Sequence, residues 1–169
     1  MNEAQIIAFL DQDDAEVVSC IKKYGVYIQY VGGGACSCCQ GGTDDDDGDP
    51  PFAYTVGLFG VGHPELVIVG AGVNTSAGVL NELSDRVRAG GSLLPGELIT
   101  FEQWPHRIVP EVLPNPGEVL YAANRHYQRP AEVSVPALQL SYDDTSGRFP
   151  WETGYEAPDM QPRPGKWRA

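Results

Sequence analysis

Apolar residues at Ile6, Leu10, Val17 and Ile21 recur at helical spacing with acids and amides between them, which predicts helix over residues 2–24, in one piece or two. Asn2, with Gln5 three residues on, reads as an N-cap, and Gly25 after Lys22 and Lys23 reads as the C-terminal end. The run Asp11–Asp14 is where such a helix would divide. Residues 25–31 (GVYIQYV) are β-branched and aromatic and end at a glycine run, the pattern of a strand entering a loop. FAYTVGLFG (52–60) and ELVIVGAG (65–72) read as two further strands joined by the short GVGHP connection, so three strands predict a sheet.

From Asn74 to Ala89, Val79, Leu80, Leu83 and Val87 make one apolar face. Asn74 or Thr75 is placed to cap this second helix, Arg86 and Arg88 oppose its dipole, and Gly90-Gly91 ends it. GELITFE (96–102) and RIVPEVL (107–113) read as short strands, residues 118–127 as a short helix, and VPALQLSY (135–142) as a last strand. Pro110 and Pro136 push their strands toward a sheet edge. The expectation is one α+β domain over residues 1–169, a mostly antiparallel sheet with two or three packing helices. Residues 32–51 form a Gly/Cys/Asp-rich mobile loop out of a hairpin, and residues 153–169 a proline-rich tail anchored by Phe149, Trp151 and Tyr155.

Composition narrows function by exclusion. Hydrophobic residues make up 42%, and Gly 20 with Pro 14 favours many turns over a long bundle. A net charge of -12 removes the main driving force for nucleic-acid binding and would instead steer a basic protein partner or a cation to the surface. No apolar run approaches the roughly 18 residues of a membrane span, and the N-terminus carries acid where a secretory leader carries base. Four clustered cysteines do not make a secreted disulfide framework, so a cytoplasmic setting is expected.

The strings PPFAYTVGL (50–58), HPELVIVG (63–70), LNELSDRVRAGG (80–91) and LQLSYDDTSGRFPWE (138–152) together resemble a bacterial family catalogued as domain of unknown function four-two-six-two. The resemblance runs in order over about residues 6–160. Two departures stand out: SYDD replaces a step that in the family often reads Trp-Pro-Asp, and the Cys/Asp loop looks like an insertion. The resemblance implies the fold and brings no activity with it.

Three constellations are candidates for chemistry. His63, Glu65 and Asp143 or Asp144, with Tyr54 and Thr55, would form a polar cluster if strand pairing gathered them at one sheet end; His63 paired with a carboxylate would then serve as a base or metal ligand. Cys20, Cys36, Cys38 and Cys39 offer four thiols to zinc, although C-x-C-C is a poor substitute for C-x2-C pairs, and a redox pair or inert thiols are the alternatives. Asp44–Asp47 with Asp49 lack the spacing of a calcium loop and read as solvated chain. Trp151 reads most simply as a lid packing on the sheet, with stacking on a ligand as the alternative. Dinucleotide, P-loop, zinc-protease and hydrolase signatures are absent from the sequence.

The sequence therefore leads to an uncharacterised small binding or interaction module whose candidate site is formed by the YTVGL and HPEL strand ends and the FPWE segment, with Tyr54, Thr55 and Trp151 as ligand-binding candidates and a basic protein partner or a small molecule as its counterpart. The alternatives are an enzyme using His63 with Glu65 or Asp143 for proton transfer, and a zinc- or flavin-binding domain.

Overall fold

The structure, a computed structural model, describes residues 1–32 and 49–169. Helix α1 (Glu3–Tyr24) is continuous through Asp11–Asp14. Its start is a full capping box: the Asn2 side chain accepts from the Gln5 N–H and the Gln5 side chain from the Asn2 N–H, each at 2.9 Å. Asp13 and Asp14 do not break the helix because each is drawn to Arg125, at 2.5 Å, on the neighbouring helix α3 (Tyr121–His126).

Five strands follow: β1 (Tyr27–Val31), β2 (Phe52–Val56), β3 (Glu65–Val69), β4 (Ile108–Val112) and β5 (Ala137–Tyr142). They lie in the order β1-β2-β3-β5-β4, antiparallel except for β3 against β5. The chain is thus a single α+β domain with a mostly antiparallel sheet and three helices. Alternation along the strands divides the core in two. Ala53, Leu66, Ile68, Leu138 and Leu140 face α2 (Val73–Arg88) through its Val79, Leu80, Leu83 and Val87. Phe52, Tyr54, Val56, Val67 and Val69 face Val17 of α1 and Ala122 and Ala123 of α3.

The tail closes the second face where β5 would present polar groups. Gln139 donates to the Pro162 carbonyl (2.8 Å) and accepts from the Trp167 indole (2.9 Å), while Trp167 packs on Phe52. Gln161 pairs with both backbone groups of Tyr142. Every one of these bonds satisfies a group that burial would otherwise leave without a partner.

Three expectations are corrected. GELITFE is not a strand; it bridges to the sheet only at Ile99, opposite Ile108, and two residues along β4 Pro110 accepts from the Gly96 N–H but has no N–H of its own to extend the ladder. Helix α2 starts after Gly72, with no side-chain cap from Asn74 or Thr75. Pro136 immediately precedes β5, an internal strand, where a missing N–H costs no ladder bond; Pro110 does lie on the edge strand β4. The Cys/Asp-loop expectation falls on residues 33–48 and lies outside the described residues, between two strands that do pair as neighbours.

Gly57 and Gly62 separate two roles of glycine in the turn after β2. Gly57 has φ 135°, and a Cβ there would lie 2.9 Å from the Gly25 carbonyl oxygen and 3.3 Å from Val26 Cα; Gly62 has φ 82° with open space around it. Gly57→Ala should therefore cost about 1–3 kcal/mol, lowering Tm by roughly 2–4 °C per kcal/mol, and Gly62→Ala distinctly less. Thermal melts of the two variants side by side check the order.

Candidate functional site

The first polar centre lies at the start of β3. Glu65 is completely buried, and both of its oxygens are used: Oε1 accepts from the Gly57 N–H (2.8 Å) and Phe59 N–H (3.1 Å), Oε2 from Thr55 Oγ1 (2.6 Å) and Leu58 N–H (3.2 Å). Thr55 Oγ1 in turn accepts from the Leu66 N–H at 2.9 Å. One residue further on, the Gly60 N–H donates to the Tyr127 hydroxyl at 3.1 Å. The four successive amides of residues 57–60 are thereby satisfied by side chains, which lets the chain turn sharply with glycine at its hinge. Burial pushes the Glu65 carboxyl above its ordinary value, against the pull of the Thr55 hydroxyl and the Phe59, Gly57 and Leu58 amides.

His63 does not join Glu65. Its Nδ1 donates to the Pro64 carbonyl (2.7 Å), and its Nε2 accepts from the Leu93 N–H (3.0 Å) across the chain. The two partners assign the tautomer and occupy both nitrogens. Strand alternation would have aligned residues 63 and 65, but β3 begins only at Glu65, and Pro64 redirects the chain before it. Tyr54 is also engaged: its hydroxyl accepts from the Ala122 N–H (3.0 Å) at the start of α3, and burial pushes its pKa up to about 12.

Asp143 lies at the other end of the sheet. Glu65 is in register with Ala137, six residues before Asp143 on β5, and at about 3.3 Å per residue the separation is roughly 20 Å. Asp143 holds the entry to β4 instead. Its Oδ2 takes Arg107 Nε at 2.7 Å, its Oδ1 takes the Arg107 N–H at 3.0 Å, and its carbonyl accepts from His106 Nδ1 at 2.7 Å, with Oδ1 3.2 Å from the same nitrogen. His106 and Arg107 are thus site residues that sequence reading missed. Their pairing spans 36 and 37 residues, and no local pattern announces it.

The FPWE segment forms a layered stack beside them. The Arg107 guanidinium lies 5.2 Å over Phe149, Phe149 stacks on Trp151 at 4.8 Å and 3°, and Arg163 lies 4.8 Å over Trp151. Trp151 is 45% exposed, yet Phe149 and Arg163 lie against its ring, so the ring acts as one layer of the stack. Among the described residues no three His, Cys, Asp or Glu side chains gather to hold a metal. Cys20 is half-buried on α1, and Cys36, Cys38 and Cys39 lie outside the described residues.

Two hollows and one projection mark the surface of the described residues. A hollow of about 510 Å³ beside Trp167 has Gly32 and Asp49 in its lining. A second, open hollow of about 400 Å³ is lined by residues 100–107, His106 among them. At the opposite extreme, the first turns of α1 are exposed among the described residues, with Ile6, Ile7 and Phe9 at 43, 52 and 59% exposure.

Two outcomes follow for the Glu65 centre. Thr55→Val leaves the Leu66 N–H without its acceptor and should destabilise by about 1–3 kcal/mol in denaturant unfolding. A carboxyl whose folded pKa is raised contributes stability fully below its unfolded value near 4.5 and loses it as pH rises through the folded value. The stability advantage of the native chain over Glu65→Gln should therefore shrink from acid to neutral pH; an advantage that grows with pH would reverse the assigned direction.

No curated protein and no solved structure matches the chain. A family model described as "Domain of unknown function (DUF4262)" matches residues 20–156, from the last turn of α1 to just past the FPWE segment. On that match, which takes in both polar centres, the chain belongs to the DUF4262 family.

Proposed function

We propose that the protein is a small interaction module that engages a basic protein partner through the projecting half of α1. The observation that carries this reading is the run of exposed apolar side chains Ile6, Ile7 and Phe9 on a helix whose later residue Val17 is buried in the core. Ile6 and Leu10 continue the same helical stripe that Val17 and Ile21 present to the domain. A stripe that continues past its packing surface is suited to lie in the apolar groove of another molecule.

Charge selects the partner. Glu3 and Asp11 flank the exposed stripe, and the chain as a whole carries -12, so a groove rimmed by Lys and Arg is complementary. A second copy fits poorly, since antiparallel pairing of the projecting segments would bring Glu3 of one chain toward Asp11 of the other. The chemistry of the interior favours the same reading. Thr55, Glu65, His63 and Tyr54 are committed to bonds that hold turns and helix ends together, which leaves them unsuited to turning over a substrate.

Affinity capture with the intact chain as bait tests the proposal. A partner should be retained at low salt, released at high salt, and not retained by the Ile6→Ser/Phe9→Ser double variant, whose Tm should match the native chain because both sites are exposed. Capture that ignores salt or the substitutions, or no partner at all, would overturn it.

A further inference from the structure

His106 differs from His63 in having only half of its bonding complete. With the proton on Nδ1, donated to the Asp143 carbonyl, Nε2 carries a lone pair, and among the described residues no donor reaches it. The ring is held in place by Trp104 at 4.8 Å and Tyr142 at 6.0 Å, and its side chain remains 24% exposed. It borders the 400 Å³ hollow, a size within the range of small-molecule sites.

The hollow's carboxylate is Glu102, which is exposed; His106 Nε2 adds an acceptor and Trp104 an aromatic ring, while Thr100 and Gln103 add neutral polar groups and the Phe101 ring already carries the Arg86 guanidinium at 5.2 Å, itself paired with Glu82. Arg107 also lines it, but its guanidinium is turned back onto Asp143 and the Gly147 carbonyl at 2.7 and 2.8 Å. An anion entering here would meet Glu102, a neutralised Arg107 and the field of a chain at -12. A small cation bearing N–H groups meets a lone pair, a carboxylate and the Trp104 ring, each complementary to it.

We propose that this hollow is a binding site for small primary ammonium compounds, the ammonium donating to His106 Nε2 and pairing with Glu102 while the apolar body lies against Trp104. Asp143 is the positioning residue: it fixes the tautomer and so leaves Nε2 as the acceptor. The site lies within the family match, unlike the projecting turns of α1, and is independent of them.

The test uses benzylammonium as probe and benzoate as its charge-reversed counterpart, followed through the histidine side-chain ¹⁵N resonances of the full chain. The expected result is a saturable shift of His106 Nε2 with benzylammonium and none with benzoate. His106→Asn retains an amide donor for Asp143 but has nothing at the Nε2 position, so it should keep the native Tm and lose the calorimetric binding signal. Glu102→Gln, at an exposed position, should weaken binding several-fold without touching the fold. Equal binding by His106→Asn, an equal response to benzoate, or no saturable shift in the native chain would overturn the proposal. Should His106→Asn fail to fold, the native titration and Glu102→Gln still decide it. Unchanged benzylammonium binding by Ile6→Ser/Phe9→Ser separates this site from the α1 reading.

Discussion

The buried carboxyl of Glu65 is the interaction on which the arrangement of the sheet depends. It draws in three amides and a hydroxyl from residues 55–59, which commits the chain after β2 to one tight path back into β3. That path carries Gly60 to Tyr127, and Tyr127 with Phe59 forms an edge-on aromatic pair that fastens the end of α3. Without an acceptor in the middle, the buried amides of this turn would each cost on the order of 1–3 kcal/mol. A group that is expensive to bury is tolerated here because it satisfies several others that would be expensive to leave alone.

The far end of the sheet is organised by the same device with a different outcome. Asp143 gathers Arg107, His106 and the backbone at the mouth of β4, while Asp144 accepts from the Ser146, Arg148 and Glu156 amides to fold the next turn. Both centres thus use acids as cross-braces. The difference lies in what is left over. At Glu65 both oxygens are used twice and His63 is closed on both nitrogens, whereas at Asp143 one nitrogen of His106 is braced and the other has no protein donor among the described residues, in a ring that borders a hollow. Structural bracing at one end and an open acceptor at the other follow from the same chemistry applied at different depths of burial.

Much of this was legible in the sequence because it is local. The capping box at Asn2 and Gln5, the left-handed Gly25, the apolar face of α2 and the alternation in β2 and β3 are each set by residues within a few positions of one another. The pairing of Thr55 with Glu65 was half legible, since both residues were singled out but His63 was expected beside them. What escaped is non-local. Asp143 was matched with the wrong histidine because periodicity cannot say that 106 and 143 meet at adjacent strand ends. Packing on the sheet is the simpler sequence reading of Trp151, and its actual neighbour Arg163 escapes that reading because it comes from a tail twelve residues on, carried there by Gln161 and Pro162. GELITFE misled for the opposite reason: its local pattern is strand-like, but sheet bonding stops at Ile99.

The limits of the family match give the projecting helix its meaning. Residues 20–156 contain both braces, all five strands and α2 and α3, while Val17, which packs α1 onto the sheet, and the tail residues Gln161 and Trp167 lie outside the match. Those turns bury almost nothing of their own, and an isolated helix of that length is marginal in water. They persist because the helix is propagated outward from a half anchored at Val17 and at the Arg125 pair with Asp13 and Asp14, and because the capping box closes the free end. The anchor orders the segment in advance, which lowers the entropy a partner must overcome on binding. An apolar stripe held rigid in solvent has a standing cost, and a surface that accepts it is the arrangement that removes that cost.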